Sequence, residues 1–419
     1  MNGCDADNLS MKTARSVLWI ALLATMVVTP AITQEVNDDP EISREFRFNI
    51  EDEQEYRLVS TNEQTISLNG YAIRDAEIVT RVQIEPFGTS NGQGRYEAVF
   101  SLTETSRRAG QPVGLESQHR SEYFRDVRGF MDIDDRYIMP VSRNLPVFPE
   151  EPVSPGDTWT EDATEVHDLS QGYNISEPLR LEFPVSYEYA GVTTWQGVEV
   201  DLIQVDYNIA HREQRDAMLY PQAVTGQSRQ SIYWDNRRGR MVGSEEEYWI
   251  EFRLSDGRTI TYQGEAIVEV EGATPLDRES VVAALQARLD DAGIENTRVS
   301  DQEDGVVLIL ERIGFPPDSD RILPEEEERL AIIGEILQDF PENDLLITGH
   351  TALAGTASGR EQLSVSRARA VGEFFLENEV RDPVRILYRG VGAAEPIADN
   401  DTAEGRSRNR RVEIMVLDN

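Results

Sequence analysis

From about Phe46 to Val270 apolar and polar residues alternate, and short turn clusters interrupt the alternation. Tyr248, Ile250, Phe252 and Leu254 share one face of a strand, Ser255-Asp256-Gly257-Arg258 supplies a turn, and Ile260 and Tyr262 begin the return. A second hairpin is predicted at Ser231-Ile232-Tyr233-Trp234, turning through residues 235–240. Further alternating runs occupy 57–68, 77–84, 96–102 and 198–207, and helical periodicity is scarce. The pattern predicts a large antiparallel β-rich domain over 43–271, its sheet curled into a half-barrel or sandwich. The proline-rich stretch 145–155 leaves two readings open, one β unit or two subdomains divided there. Within it begins the turn Pro152-Val153-Ser154-Pro155-Gly156-Asp157-Thr158-Trp159, read as introducing a strand whose Trp159 fills the core.

Beyond Val270 the period changes. Residues 271–275 read as a linker, and Asp277 is placed to cap a helix with Val281, Leu285 and Leu289 on one face and Gly293 as its stop. With a short strand at 297–299, residues 275–302 form a small α/β connector. Residues 303–419 then alternate strand and helix. The apolar run 306–310 is a buried strand, and Pro324 opens a helix with acids at 325–328, where the dipole favours them. Leu330, Ile333 and Leu337 line its buried face. Residues 345–347 are the next strand, Ser364 is read as the cap of a second helix bearing Ala368, Val371 and Phe375, and 384–388 and 412–416 are the last strands. The order β-α-β-α-β-(α)-β predicts a mixed sheet covered by helices. The chain as a whole reads as multi-domain α+β.

Lys12 and Arg15 precede the apolar run 17–28 and the small-residue stretch Thr29-Pro30-Ala31-Ile32-Thr33-Gln34. That is the layout of a secretory signal peptide over 1–34, and the run is short of the roughly 20 residues a spanning helix needs. Cleavage would leave a mature chain in the periplasm with no integral membrane domain, the favoured expectation; the competing reading is an uncleaved inner-membrane anchor. Cys4 is the single cysteine and stands before the apolar run, so neither a lipid anchor nor an internal disulfide is predicted.

At 419 residues the chain is long enough for several domains, and 39% hydrophobic with 28% charged residues suits soluble ones. The net charge of −37 argues against nucleic acid and anionic lipid as partners. Lys12 is the only lysine; codon bias and an acidic, salt-adapted surface both account for that.

Chemistry is sparse. His119, His167 and His211 lack ligand spacing, and His167-Asp168, as neighbours on a strand, point to opposite faces. Asp132, Asp134 and Asp135 read as a solvated acidic turn rather than a calcium loop. No nucleophile elbow, phosphate loop or dinucleotide fingerprint is present. No catalytic residue, metal or cofactor is predicted. A concave sheet face could hold an apolar ligand, an expectation resting on fold class alone.

Near the C-terminus the chain reads Gly349-His350-Thr351-Ala352, then Leu363-Ser364-Val365-Ser366-Arg367-Ala368, then Glu404-Gly405-Arg406 and Asn409-Arg410-Arg411-Val412-Glu413. This order and spacing resembles the OmpA-like (OmpA/Pal/MotB C-terminal) peptidoglycan-associating domain. The resemblance implies a non-catalytic module that grips the diamino acid of the peptidoglycan stem, in the cell envelope and commonly at the outer membrane. It implies that the arginine of Leu-Ser-x-x-Arg-Ala, here Arg367, holds the ligand carboxylate through a bidentate fork. An Asp after Gly-His-Thr would hold the ammonium, and here that position is Ala352. Arg360 also stands where the family usually has Asn. Thr351, His350, Arg406, Asn409 and Arg410 complete the candidate site.

A lost charge-assisted hydrogen bond is worth about 1.5–3 kcal/mol, or roughly 10- to 150-fold in affinity. The cation-binding half is gone and the anion-binding half survives. The loss predicts a preference for stems whose amine is consumed in a cross-link, unless Glu361 replaces the missing acid. The leading expectation is weak or altered peptidoglycan association that presents the β-rich domain in the periplasm. The alternatives are a protein-interaction scaffold that engages envelope proteins, and an apolar-ligand carrier in the β domain.

Overall fold

A computed structural model describes residue 36 and residues 43–417, except 106–112, 171–174, 176, 216–218, 273–277, 295, 303–304, 312–314, 317 and 342. The expected signal segment and the Asp277 cap lie outside the described residues. The chain divides into two units, one comprising Met1–Leu102 with Gln118–Gly272, the other Thr103–Ser117 with Ala273–Asn419.

Unit 1 is antiparallel β. Its strands are β1 (Tyr56–Leu68), β2 (Tyr71–Ser90), β3 (Gln93–Thr105), most of β4 (Val113–Arg125), β5 (Met131–Ile133), β6 (Ser142–Arg143), β7 (Thr158–His167), β8 (Leu179–Trp195), β9 (Val198–Arg212), β10 (Pro221–Asp235), β11 (Arg240–Leu254) and β12 (Thr259–Gly272). Eight of them follow the order β1-β12-β11-β10-β9-β8-β7-β6. The hairpins expected on either side of β11 form. Asp235 pairs with Arg240, and the Asp235 carboxylate accepts from the backbone N–H groups of Arg237 and Arg238. At the other end Leu254 N–H donates to Arg258 O at 2.8 Å.

Residues 145–155 pack into the core formed by the later strands. Val147 and Phe148 are fully buried, and Phe148 packs edge-on against Trp234 with ring centroids 4.6 Å apart. Trp159, expected to fill the core, is half-buried and packs against its edge, stacking on Tyr187 and donating from Nε1 to Val147 O at 2.9 Å.

The interior also holds a polar cluster. Glu165 and His167 are two residues apart on β7, so both face inward, with His167 Nε2 2.9 Å from Glu165 Oε2. His167 reaches the Phe252 ring of β11, four strands away in sheet order, so the sheet is curled. Tyr207 Oη donates to Glu165 at 3.2 Å and lies 3.5 Å from Glu246 Oε1, which also accepts from Ser228 Oγ. Burial, reinforced by the Glu165 charge and opposed by Ser228, pushes the Glu246 carboxyl up to about 7.

Between the ordinary carboxylate value of 4.5 and about 7 the folded chain holds a proton that the unfolded chain releases. This contribution to stability is fully present below the lower value and is lost as pH rises through the upper one. At about 1.4 kcal/mol per unit, the loss is up to about 3 kcal/mol. Trp159, Trp195, Trp234 and Trp249 all belong to unit 1. Tryptophan-monitored melting is therefore expected to shift to lower temperature from pH 5 to pH 8, and Glu246→Gln to flatten that slope. A wild-type slope retained in the variant would show that other groups cause it.

Unit 2 contains α1 (Arg278–Asp291), β13 (Thr297–Gln302), β14 (Gly305–Glu311), α2 (Pro324–Leu337), β15 (Leu345–Gly349), α3 (Ala357–Glu377), β16 (Ile386–Gly390), α4 (Ala403–Asn409) and β17 (Arg411–Leu417). The sheet order is β13-β14-β17-β15-β16, with β15 and β16 parallel and the other pairs antiparallel. Val113 and Gly114, at the start of β4, register in parallel with Leu387 and Tyr388 of β16.

The expected connector is not a separate piece. β13 pairs along its length with β14, and Val281, Leu285 and Leu289 of α1 join Leu308, Leu330, Ile347 and Phe375 in one core. Pro324 opens α2 as predicted. Ser364, read as a helix cap, instead lies within α3, fully buried; the cap is Thr356, whose side chain accepts from Gly359 N–H at 3.1 Å. Ser364 Oγ donates to Glu361 O and accepts from Gly392 N–H at 2.9 Å, tying α3 to the loop after β16. Among the described residues no helix is long and apolar enough to cross a membrane.

Candidate functional site

The loop after β15, the first turns of α3, the residue after α4 and the loop before α2 together line an open cavity of about 530 Å³. Arg360, Leu363 and Arg367 line it from one face of α3, as spacings of three and four on a helix dictate. Thr351 and Ala352 line it from the loop, Arg410 from between α4 and β17, and Phe315 and Asp318 from the segment before α2. The capped N-terminus of α3 adds the positive end of a helix dipole.

Arg367 is 6% exposed. Its Nε donates to Ser319 O at 3.0 Å, its Nη2 reaches Pro316 O at 3.5 Å, and its guanidinium sits 4.9 Å from the Phe315 ring centroid. It is not a surface arginine paired to a neighbouring acid: no carboxylate among the described residues forms an ion pair with it. Burial and then the Arg410 charge push its pKa below the ordinary guanidinium value, with Asp318 and Asp320 opposing. Even so shifted, a guanidinium stays charged. Arg360 donates to Gly355 O at 2.7 Å. The Arg410 guanidinium has no hydrogen bond or ion pair among the described residues, and the buried Thr351 Oγ1 has no partner there either.

The cavity thus brings together Thr351, Ala352, Arg360, Arg367 and Arg410. It does not include His350, Arg406 or Asn409, and each has structural work elsewhere. His350 is buried, with Nε2 3.5 Å from Glu413 Oε2. Burial alone would raise the Glu413 carboxyl, but the His350 and Arg411 partners outweigh it and hold it down to about 2. Arg406 donates to Asn400 O at 2.8 Å. Asn409, fully buried, accepts from Ile397 and Ala398 N–H and donates to Ala398 O, bracing the loop before α4. Glu361 is exposed and does not line the cavity.

Asp318 escaped the sequence reading because no motif marks it and its loop is placed by Arg367. The Glu165–His167 pair was legible, since a spacing of two on a strand puts both on one face.

Residues 314–410 match the OmpA family. "Probable lipoprotein YiaD" of Escherichia coli (strain K12) is 32% identical over 135 residues, 32% of this chain and 60% of that protein. "Peptidoglycan-binding protein ArfA" of Mycobacterium tuberculosis (strain ATCC 25618 / H37Rv) is 35% identical over 104 residues, 25% of this chain and 32% of that protein. A solved outer membrane protein of Borrelia burgdorferi B31 is 33% identical, covering 29% of this chain and 96% of that one, with a TM-score of 0.25. The chain spans less than two thirds of either curated relative. α2, β15, α3, β16 and α4, with the cavity that their loops line, therefore belong to an OmpA family domain at residues 314–410.

Proposed function

We propose that this domain binds a carboxylate-bearing end of the peptidoglycan stem peptide in the cavity beside α3, without catalysis, and so holds the β-rich unit at the cell wall. One observation carries the reading. On a chain with a net charge of −37, Arg360, Arg367 and Arg410 converge on one cavity at a helix N-terminus. Such a cavity suits an anion, and the forked donors of arginine suit a carboxylate. The ArfA relative is a peptidoglycan-binding protein, which supports the same assignment. An exported, envelope-associated location follows from it and from the 1–34 segment. Wall retention rather than scaffolding of other proteins is favoured by the unpaired Arg410 and Thr351 groups.

The test is co-sedimentation of the full chain with purified sacculi. Arg410→Ala removes an exposed, unpaired cation, so it is expected to weaken retention about 10-fold without changing the fold. Ala352→Asp restores the family acid and is expected to strengthen retention. Wild-type protein that stays in the supernatant, with Ala352→Asp gaining retention, would overturn wall binding in favour of a scaffold.

A further inference from the structure

The absence of an acid at Ala352 suggests a site that has lost its grip on an ammonium. The cavity itself contradicts that. Among its described lining residues Asp318 is the single carboxylate, and it has no hydrogen bond or ion pair among the described residues. We propose that Asp318 is the cation-holding half of this site, taking the ammonium of a zwitterionic amino-acid end whose carboxylate lies against Arg367 and Arg410; the inference rests on the wall-binding reading above.

Three independent features support it. First, the segment that carries Asp318 is fixed by the anion-binding arginine itself. Arg367 reaches the carbonyls of Pro316 and Ser319 on either side of Asp318 and covers the Phe315 ring. The two halves of the site are thus positioned by one side chain. Second, Asp318 occupies a left-handed backbone conformation, φ +50°. Aspartate and asparagine tolerate that region and most residues do not. Third, opposite charges face one cavity without meeting. No ion pair joins Asp318 to Arg367, Arg360 or Arg410, and the buried Thr351 Oγ1 beside them is unpartnered. A ligand carrying both charges satisfies these groups together, whereas a simple anion leaves Asp318 repelling it.

The other acids fit less well. Glu361 is exposed, as Asp318 is, but does not line the cavity. Asp320 acts on Arg367 through space but does not line the cavity.

The experiment titrates the full chain calorimetrically with free diaminopimelate and with its di-N-acetylated form, which keeps the carboxylates and loses both ammonium charges. Wild type is expected to bind the free form at least about 10-fold more tightly. Asp318→Asn keeps the backbone preference and removes only the charge, so the fold is expected to stay intact. Its affinity for the free form should fall about 10- to 150-fold, while that for the acetylated form stays level. Adding Ala352→Asp to that variant should restore the preference. Equal binding of both forms, still dependent on Arg410, would overturn the Asp318 assignment and leave the site standing. Tighter binding of the acetylated form would overturn it too and point to cross-linked stems. Binding of neither form by the wild type would overturn both Asp318 and the site reading.

Discussion

Replacing Arg367 with alanine is expected to abolish retention on sacculi and to lower the stability of the C-terminal unit by about 2–4 kcal/mol. The two effects share a cause. The guanidinium is buried, and its Nε donates to Ser319 O at 3.0 Å. A hydrogen bond from a charged donor is worth about 1.5–3 kcal/mol. The contact to Pro316 O at 3.5 Å is at the edge of usefulness. The cation over Phe315 adds about 1–2 kcal/mol where water is excluded. Against these stands the cost of burying the cation, which alanine removes. Alanine also frees the segment carrying Asp318, so the loss of binding should exceed that of one charge. Arg367→Lys separates the terms: it keeps the charge but cannot span two carbonyls with a planar fork, and should fall between. Denaturant unfolding followed by hydrogen exchange of α3 amides reads stability, and sedimentation reads binding. An alanine variant as stable as wild type would show that the carbonyl contacts are incidental to the fold.

How much of this was legible follows from the range of each interaction. The β10–β11 and β11–β12 hairpins could be placed because Asp235 and Asp256 close their turns locally. The pairing of β1 with β12 could not, since Tyr56 and Gly272 are partners across most of the unit and alternation names no partner. The α1 face follows from its periodicity, whereas the pairing of β13 with β14 that joins the connector to the sheet is not marked by alternation at 297–299. Ser364 mimicked a cap because serine before an apolar helical run is what a cap looks like. Its real partner, Gly392 N–H, lies beyond a strand. In the site, the motif placed Arg360, Arg367 and Ala352. His350, Arg406 and Asn409 neighbour the cavity in sequence but turn to Glu413, Asn400 and Ala398. Asp318 was invisible because nothing near it in the chain says which helix will hold its loop.

Gly349→Ala is expected to be severely disruptive, costing about 3 kcal/mol or more and removing wall binding with it. Gly349 and Gly390 are partners across β15 and β16. A Cβ on Gly349 would lie 2.1 Å from Ser364 O, and one on Gly390 would lie 2.3 Å from Val365 N. Both obstacles are backbone atoms of α3, so no side chain can swing aside and the helix itself must retreat. That helix buries Ala368, Val371 and Phe375 in the core and presents Arg360 and Arg367 to the cavity. Retreat therefore opens a void under the helix and moves the donors off the ligand. Gly390→Ala should cost about as much. The double variant should cost less than the sum, because one displacement of α3 relieves both clashes. Melting of the two single variants and the double variant tests this. Full additivity would mean that two separate distortions occur, and wild-type melting in Gly349→Ala would mean that α3 does not approach the sheet this closely.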